Sequence, residues 1–306
     1  MTPEPVLGTM TFGDTVDART AGRMLDHALD AGVTGVDTAN GYAGGAAEEI
    51  LGELLRSRRD RVVLATKAGI PHPDAGDHAP LSPAGLRASL EGSLRRLKTE
   101  HVDLFYLHQP DRATPLDDTL ATVAELMAEG KIGSLGVSNY AAWQIAGISP
   151  LPVVAQQLYN LLARRIEDEY AEFALTSGLR TMVYNPLGGG LLTGRHRFDQ
   201  APGTGRFGDS RVAAMYRKRY WDADLFKAVE ALQAITEDAG LPLAELSLRW
   251  LAGNPVVSAV LLGASSVDHL RANLAALAAG PLPADVAAAC DAVGDTLRGP
   301  MPAYNR

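Results

Sequence analysis

Four side chains suited to acid–base chemistry lie in the first third of this 306-residue chain: Asp37, Tyr42, Lys67 and His108. A tyrosine hydroxyl has an ordinary pKa of about 10, so it donates a proton usefully near neutral pH only when a neighbouring cation stabilises its phenolate. Lys67 could supply that cation, and Asp37 would hold Lys67 charged and in place. His108 could hydrogen-bond the oxygen that receives the proton. Together the four residues predict one proton-transfer site.

Taken one at a time, the four residues have ordinary structural interpretations. Asp37 could belong to a turn at the end of a strand, and Tyr42 could be an aromatic residue at the rim of the barrel. Lys67 could be a surface charge and His108 a polar cap. Their placement favours chemistry, because they stand at or just past the C-terminal ends of three short apolar runs, GVTGVDTA (32–39), RVVLATK (61–67) and HVDLFYLH (101–108). Such runs predict strands. In a parallel barrel those strand ends open onto the face where these folds carry out chemistry.

The elements that must position these residues alternate along nearly the whole chain. Five further apolar runs predict strands at 6–12, 132–138, 153–159, 181–187 and 256–263. Amphipathic stretches predict helices at 18–32, 82–97, 115–129, 140–147, 165–177 and 266–279. Eight strands in alternation with helices predict a (β/α)8 TIM barrel, here a single domain over residues 1–306. A doubly wound sheet is the competing architecture.

Two segments extend the chain beyond the roughly 250 residues typical of such a barrel. One is the stretch from Gly188 to about Tyr220 after the seventh strand, and the other is the Ala-rich tail after Pro283, predicted to be an extra helical segment. Within the first, GTGRFG (203–208) matches the nucleotide fingerprint G-x-G-x-x-G, with Asp222 and Asp224 near the expected distance. That fingerprint must follow a strand and open a helix, whereas this one follows a polar stretch. A flexible loop over the barrel mouth is predicted instead.

The composition narrows the classes of partner and compartment. Acidic residues outnumber basic ones by 36 to 28, which disfavours binding to nucleic acid or to an anionic membrane. The single Cys290 excludes an intrachain disulfide and indicates a reducing compartment. The first residues lack a signal-peptide pattern, and no run approaches the roughly 18 apolar residues of a membrane span. We therefore expect a cytoplasmic protein.

Eight phrases of the sequence occur in the order and spacing of one known family. They are LGTMTFG (7–13), DTANGYAGGAAEEILGE (37–53), LATKAG (64–69), DLFYLHQPD (103–111), GKIGSLGVSNY (130–140), AQQLYN (155–160), YNPLGGGLLTGR (184–195) and LLGASSVDHLRAN (261–273). Over nearly its whole length the chain resembles the aldo-keto reductases. The segments SNYAAW (138–143), NPLGGGLLTGR (185–195), MYRKRYW (215–221) and MPAYNR (301–306) are similar to the aflatoxin-aldehyde and succinic-semialdehyde reductase branch.

The resemblance implies a reaction: the NADPH-dependent reduction of a small aldehyde or ketone to the alcohol, without a metal. The cofactor would transfer hydride to the carbonyl carbon, while Tyr42 protonates the carbonyl oxygen. Lys67, paired with Asp37, would lower the pKa of Tyr42. His108 would orient the carbonyl, so Tyr42 and His108 would both contact the substrate.

The resemblance also assigns the cofactor contacts. Ser138, Asn139 and Gln156 would bind the nicotinamide amide, and Tyr184 would stack on its ring. The extended loop would cover the cofactor, with Gly-rich backbone and arginine around the diphosphate. Its matching positions are Asn185, Leu187, Gly189, Thr193, Arg195 and Arg206. Met10 and Asp37 belong to the same set, and Gly263, Ser265, His269 and Asn273 match positions around the adenosine and its 2′-phosphate.

The sequence departs from the family pattern near that phosphate. His269 stands where related reductases often carry Gln or Arg, and Ala272 replaces a usual acidic or amide residue. His269 has two interpretations, a hydrogen bond to the phosphate or an exposed helix position. NADH is therefore the alternative cofactor.

Two arginines carry the prediction about the substrate. In the branch that the chain resembles, Arg219 and Arg306 match arginines that face the substrate pocket and could hold a carboxylate bidentately. Their alternative interpretation is that of solvated surface charges. The branch also suggests a homodimer.

Three other functions compete with the reductase. A nucleotide-sensing regulatory subunit of the potassium-channel β type would bind NADPH without important turnover, although the complete set of four residues argues against it. A sugar or alcohol dehydrogenase working in the oxidative direction would use the same residues. A metal-dependent hydrolase would need a cluster of ligands, whereas the remaining histidines fall in helices, loops or strand starts away from His108. No metal site is predicted.

Overall fold

A closed barrel of parallel strands forms the centre of the protein, in a computed structural model that describes residues 2–200 and 202–300. Each strand pairs with the next, and the last pairs with the first. Within the described residues the strands are β1 (Glu4–Gly8), β2 (Gly35–Asp37), β3 (Val63–Ala68), β4 (Val102–Leu107), β5 (Ile132–Ser138), β6 (Val154–Leu158), β7 (Arg180–Tyr184) and β8 (Ala259–Leu262). The predicted (β/α)8 barrel is confirmed, and the doubly wound alternative is wrong.

Helices surround the barrel and form its outer layer. Those in the described part of the chain are α1 (Ala18–Asp30), α2 (Ala46–Leu55), α3 (Pro83–Leu97), α4 (Leu116–Ala128), α5 (Ala142–Ala146), α6 (Tyr170–Ser177), α7 (Ala213–Tyr220), α8 (Ala223–Ala239), α9 (Leu243–Gly253), α10 (Val267–Ala278) and α11 (Ala284–Thr296). The predicted helices are present, with shifted ends. Four helices, α2, α7, α8 and α9, were not predicted from the sequence, and α7 lies in the stretch after β7 that was predicted to be a loop. The start of α8 is capped by Asp222, and Gly240 ends it in the left-handed conformation.

Alternation along each strand divides the buried side chains between two regions. In β3, Leu64 packs in the main core, between the barrel and its helices. Ala65 belongs instead to a smaller cluster, together with Val6, Tyr106, Val154, Met182 and Ala259 from other strands. The interior is thus packed with side chains, and the polar residues at the ends of the strands line its mouth.

The first and second strands are shorter than the sequence predicts. β1 ends at Gly8, because the chain then turns so that the amide of Phe12 donates to the carbonyl of Thr9 at 2.9 Å. β2 contains only Gly35–Asp37. The residues after both strands are therefore free to form loops at the mouth of the barrel.

The connection after β7 contains the segment that matches the nucleotide fingerprint. Residues 203–208 lie in a loop that neither follows a strand nor opens a helix, so the fingerprint is a chance match, as predicted. The segment is anchored, because the Phe207 side chain is buried and its carbonyl accepts a hydrogen bond from Arg217. The C-terminal helical segment is confirmed as α11, in which Cys290 is buried.

The described residues contain neither a membrane-spanning helix nor a cluster of metal ligands. No described helix is both long and apolar enough to cross a bilayer. Among the same residues, no group of three or more His, Cys, Asp or Glu side chains could hold a metal ion.

Candidate active site

The four predicted residues meet at the C-terminal ends of neighbouring strands. Asp37 is the last residue of β2, and Lys67 is the residue before the end of β3. His108 follows β4 directly, and Tyr42 begins a short 3-10 turn after β2. Because parallel strands of a barrel end on one face, residues far apart in sequence become neighbours here.

The ammonium group of Lys67 is the centre of the cluster. Its Nζ donates to a carboxylate oxygen of Asp37, to the Thr38 carbonyl at 2.9 Å and to the Tyr42 hydroxyl at 3.0 Å. The other Asp37 oxygen accepts from the Gln156 amide at 2.9 Å. Lys67 and Asp37 are both fully buried. An ammonium group has three donors, and all three are used, so the geometry of Lys67 is fixed.

The charges in this cluster are buried, and they stabilise one another. Burial disfavours the charged form of Lys67, but Asp37 and Tyr42 outweigh burial, so the pKa of Lys67 lies above its ordinary value. Burial raises the pKa of Asp37, while the Lys67 charge opposes that rise. Lys67 therefore stays cationic at neutral pH.

Burial and the Lys67 charge act in opposite directions on the pKa of Tyr42. Burial raises it above the ordinary value of a tyrosine, and the Lys67 charge lowers it only in part. Lys67 therefore lowers the pKa of Tyr42 as expected, but burial has the larger effect, because the phenolate would lose more hydration than one ammonium restores. Tyr42 is thus fully protonated at neutral pH. The Lys67 charge would stabilise a phenolate at Tyr42.

His108 lies beside Tyr42 as a neutral ring. Burial, followed by the charge of Lys67, lowers the pKa of His108 to about 3. The ring centroids of Tyr42 and His108 are 6.0 Å apart, with the rings nearly perpendicular. Within residues 2–200 and 202–300, the His108 Nδ1 atom has no hydrogen-bond partner. His108 can therefore orient a polar atom, but it does not act as a charged acid near pH 7.

The turn that carries Tyr42 depends on left-handed backbone. Ala43, Gly44 and Gly45 all have positive φ, and Gly45 has a φ of 99°. A Cβ atom at Gly45 would lie 2.9 Å from Cδ of Arg96. Glycine is needed there both for its conformation and for this close approach.

The predicted residues on β5, β6 and β7 form a hydrogen-bonded arc beside this cluster. Ser138 and Gln156 are buried near the ends of β5 and β6. The Asn139 amide donates to the His108 carbonyl at 3.0 Å and accepts from the Tyr184 hydroxyl at 2.6 Å. The arc therefore continues directly from His108.

The loop after β7 is built on asparagine and glycine. Asn185, whose φ is 62°, accepts from the Gly189 amide at 2.9 Å and donates to the Tyr220 hydroxyl at 3.0 Å. Leu187 precedes the short 3-10 segment that ends at Thr193. Arg195 and Arg206 lie further along, and Arg206 sits 5.0 Å from the ring centre of Tyr216. The loop therefore carries two arginines to the mouth.

The loop after β8 contributes the last predicted group. Ser265 and the His269 Nδ1 atom are 3.0 Å apart, and His269 is exposed in the first turn of α10. Asn273 is buried on the same helix, and Gly263 directly follows β8. Met10 comes from the loop after β1, where its sulfur lies 3.9 Å from the Tyr216 hydroxyl. These residues occupy the same end of the barrel as Lys67.

Comparison with known proteins decides the family. The model of the aldo/keto reductase family matches residues 6–295. This chain belongs to the aldo/keto reductase family. It is 40% identical to the human "Aldo-keto reductase family 7 member A3", with 92% of this chain and 90% of that protein covered. It is 38% identical to the Mus musculus "Aflatoxin B1 aldehyde reductase member 2", with 99% and 88% covered. It is also 34% identical to a "Probable voltage-gated potassium channel subunit beta" of Oryza sativa subsp. japonica, with 89% and 86% covered.

The protein is accordingly an oxidoreductase, and aldo/keto reductases use a nicotinamide dinucleotide. The residues present fit such a group. Arg206 has a buried Nη1 atom without a hydrogen-bond partner in the described ranges, although the nearest Asp14 oxygen is 4.0 Å away. Gly189 and Gly190 adopt positive φ, so the loop presents backbone without side chains. A diphosphate would satisfy such an arginine and such amides.

Of the two arginines predicted to contact the substrate, only Arg219 lies within the described residues. Arg219 lies on α7, with its guanidinium 5.8 Å from the ring centre of Tyr216. It also lies close to Tyr184: burial raises the pKa of Tyr184 to about 12, while Arg219 opposes that rise. Arg219 is exposed at the mouth. Arg306 lies outside the described residues.

Several residues of the site were not identified from the sequence. Asp14 accepts from Ser210 at 2.5 Å and from the Arg211 amide at 3.0 Å. Arg211 also donates to the Ala43 carbonyl at 3.1 Å, and thereby joins the long loop to the Tyr42 turn. Only the aspartate in TFGD, next to a predicted strand end, offered a signal. The hydrogen bonds themselves join residues that are far apart in the sequence, so they could not be predicted from it.

Proposed function

We propose that this protein reduces an aldehyde or ketone to the alcohol with NADPH, and that Tyr42 is the general acid. The observation that carries the proposal is the 3.0 Å contact between the Lys67 ammonium and the Tyr42 hydroxyl, with the Asp37 carboxylate bonded to the same ammonium. A protonated phenol beside a buried cation can release its proton only as negative charge develops on an acceptor. A carbonyl oxygen under reduction is such an acceptor.

His108, Tyr42 and Lys67 each have a separate role in the proposed reaction. When bound, the dinucleotide supplies hydride to the carbonyl carbon. The neutral His108 ring hydrogen-bonds the carbonyl oxygen and orients it. Tyr42 transfers its Oη proton to that oxygen as the C=O bond becomes a C–OH bond. Lys67 stabilises the resulting phenolate, which recovers a proton from solvent.

The proposed cofactor contacts are those of the family pattern. Ser138, Asn139 and Gln156 would bind the nicotinamide amide, and Tyr184 would lie against the ring. The diphosphate would meet the Gly-rich loop and Arg206. The Arg206 Nη1 atom has no hydrogen-bond partner among the described residues and lies 4.0 Å from Asp14, which supports this assignment. The preference for NADPH would depend on Ser265 and His269, which lie 3.0 Å apart on the exposed side of the loop after β8.

For the substrate, we propose a small aldehyde that bears a carboxylate. Arg219 supports this proposal, because it is exposed at the mouth beside Tyr184, with its guanidinium 5.8 Å from the ring centre of Tyr216. A guanidinium binds a carboxylate in two parallel hydrogen bonds. The mouse relative is named an aflatoxin B1 aldehyde reductase, which agrees with the proposed reaction type.

The test is NADPH oxidation with a panel of carbonyls: succinic semialdehyde, nitrobenzaldehyde, methylglyoxal and a sugar aldehyde. Turnover with at least one of them is expected, with slower turnover when NADH replaces NADPH. Equal or faster turnover with NADH would contradict the NADPH assignment. Measuring NADP⁺ reduction with the corresponding alcohols separates a reductase from an oxidative dehydrogenase.

A second candidate is supported by the rice relative, which is named as a channel β subunit. A nucleotide-sensing subunit would bind NADPH and leave every carbonyl of the panel unreduced. Tight binding of NADPH without turnover would therefore favour that function and reject the reductase.

A further inference from the structure

A second buried carboxylate lies behind the proton-transfer site. In the described residues, Glu48 and Asp37 are the only acidic residues that are fully buried. Glu48 stands in the first turn of α2, where one carboxylate oxygen accepts from the Thr66 hydroxyl at 2.5 Å. Its other oxygen accepts from the Arg96 Nε atom at 2.8 Å. Burial of a charged group is costly unless it is paired in this way.

Arg96 extends this pairing to a fourth residue. Its two terminal nitrogens donate to both oxygens of Asp74, at 3.0 and 2.6 Å. Asp74 lies against α3 so closely that a Cβ atom at Gly92 would be 2.3 Å from its oxygen. Thr66, Glu48, Arg96 and Asp74 therefore form one continuous chain of hydrogen bonds, here called the Glu48 network.

The Glu48 network reaches the strand that carries Lys67 and the turn that carries Tyr42. Thr66 precedes Lys67 in β3, so its side chain leaves the opposite face of the same strand. On the other side, α2 begins at Ala46, after the Tyr42 turn. Arg96 packs directly against that turn at Gly45, which has no room for a Cβ atom.

We propose that Glu48 is a positioning residue for Tyr42: it ties the turn that carries the proton donor to the strand that carries Lys67. The inference rests on the proposed role of Tyr42 as the acid. A carboxylate suits this task, because its two oxygens can accept from the strand and from Arg96 at once. Well-packed apolar residues would hold α2 against the barrel equally well, so the fold alone does not require this buried charge.

The sharpest variant removes one hydroxyl. Thr66→Val deletes the bond to Glu48 at nearly constant volume. Its matched control is Thr181→Val, since Thr181 is also a buried strand threonine whose hydroxyl bonds a helix side chain, Tyr170, at 2.9 Å. Thr181 lies on β7, away from Tyr42.

We expect Thr66→Val to lower kcat by about tenfold with NADPH and aldehyde saturating, because small displacements of reacting groups are costly. The KM for NADPH should stay within about twofold. The basic limb of the kcat/KM profile should move to higher pH, because a weaker Lys67 contact leaves the pKa of Tyr42 higher. Thr181→Val should change neither kcat nor this limb.

Two variants of Glu48 and an NMR titration of Tyr42 test the same positioning role independently of Thr66→Val. Glu48→Gln keeps an acceptor for Arg96 and a partner for Thr66, so it should retain kcat within about threefold, whereas Glu48→Ala should lose more than Thr66→Val. In the cofactor-free protein, the ¹³C NMR signal of the Tyr42 ring should titrate at higher pH in Thr66→Val than in the wild type. Its assignment comes from Tyr42→Phe.

The outcomes separate this inference from the proposed function. Activity of Tyr42→Phe close to that of the wild type would reject Tyr42 as the acid, and the inference with it. An inactive Tyr42→Phe, together with wild-type kcat, pH profile and NMR titration in Thr66→Val, would reject only the positioning role of Glu48.

Discussion

The mouth of the barrel has two unlike sides. On the side of β2, β3 and β4, the functional groups are buried and bonded to one another: Lys67 alone joins Asp37, Thr38 and Tyr42. On the side of β7 and β8, Arg195, Arg219 and His269 are exposed. The buried side fixes charges where water cannot screen them, so a change there alters the chemistry. The open side offers donors to a large ligand, so a change there alters binding.

The largest effect should follow from removing the cation on the buried side. Lys67→Met is expected to lower kcat by about a thousandfold, because the Tyr42 phenolate loses its stabilising charge. Leaving Asp37 buried and unpaired should also cost about 3–5 kcal/mol of folding free energy. Steady-state kinetics and urea unfolding measure the two effects. A kcat within tenfold of the wild type in folded protein would contradict the contrast between the two sides.

The burial of His108 on the same side predicts a pH-dependent stability. Its folded-state pKa of about 3 lies below the ordinary value of 6.5, so the unfolded chain binds more protons between these values. The contribution of the neutral His108 ring to the free energy of unfolding is therefore complete above about pH 6.5. It decreases as the pH is lowered, by about 2 kcal/mol between pH 6.5 and 5. Urea unfolding at several pH values should show this loss in the wild type relative to His108→Gln. Parallel curves for the two proteins would contradict a buried neutral ring.

On the open side, Arg206→Leu should act on cofactor affinity. We expect the Kd for NADPH to rise about tenfold, because one charge-assisted contact to the diphosphate is lost. The kcat at saturating cofactor should remain within about twofold. Fluorescence titration and steady-state kinetics give the two values. A large loss of kcat with unchanged Kd would place Arg206 with the chemistry instead.

An effect of similar size is expected on substrate selection. Arg219→Leu should raise the KM for succinic semialdehyde about tenfold and leave the KM for a neutral aldehyde within about twofold. The two substrates are compared in the same preparation. Parallel changes in both KM values would remove Arg219 from the substrate site.

The sequence predicts which residues lie on the buried side of the mouth, but it does not predict the pKa values of those residues. Asp37, Lys67 and His108 could be identified because strand ends of a parallel barrel share one face, and short apolar runs reveal the strands. The net pKa of Tyr42 could not be predicted, because it depends on how completely the folded chain removes water. The pairing of Glu48 with Arg96 could not be predicted, because the two residues are 48 positions apart in the chain and meet only when α2 packs against α3. The helix α8 was missed although its capping residues, Asp222 and Gly240, are visible in the sequence.

The central claim is that Tyr42 donates the proton in a site whose buried side is complete before substrate arrives. Single-turnover reduction by Tyr42→Phe tests it most directly, with NADPH binding measured on the same sample. We predict NADPH affinity within about twofold of the wild type and a reduction rate lower by about 10²–10⁴-fold. Reduction within tenfold of the wild-type rate, with NADPH bound equally well, would contradict the claim.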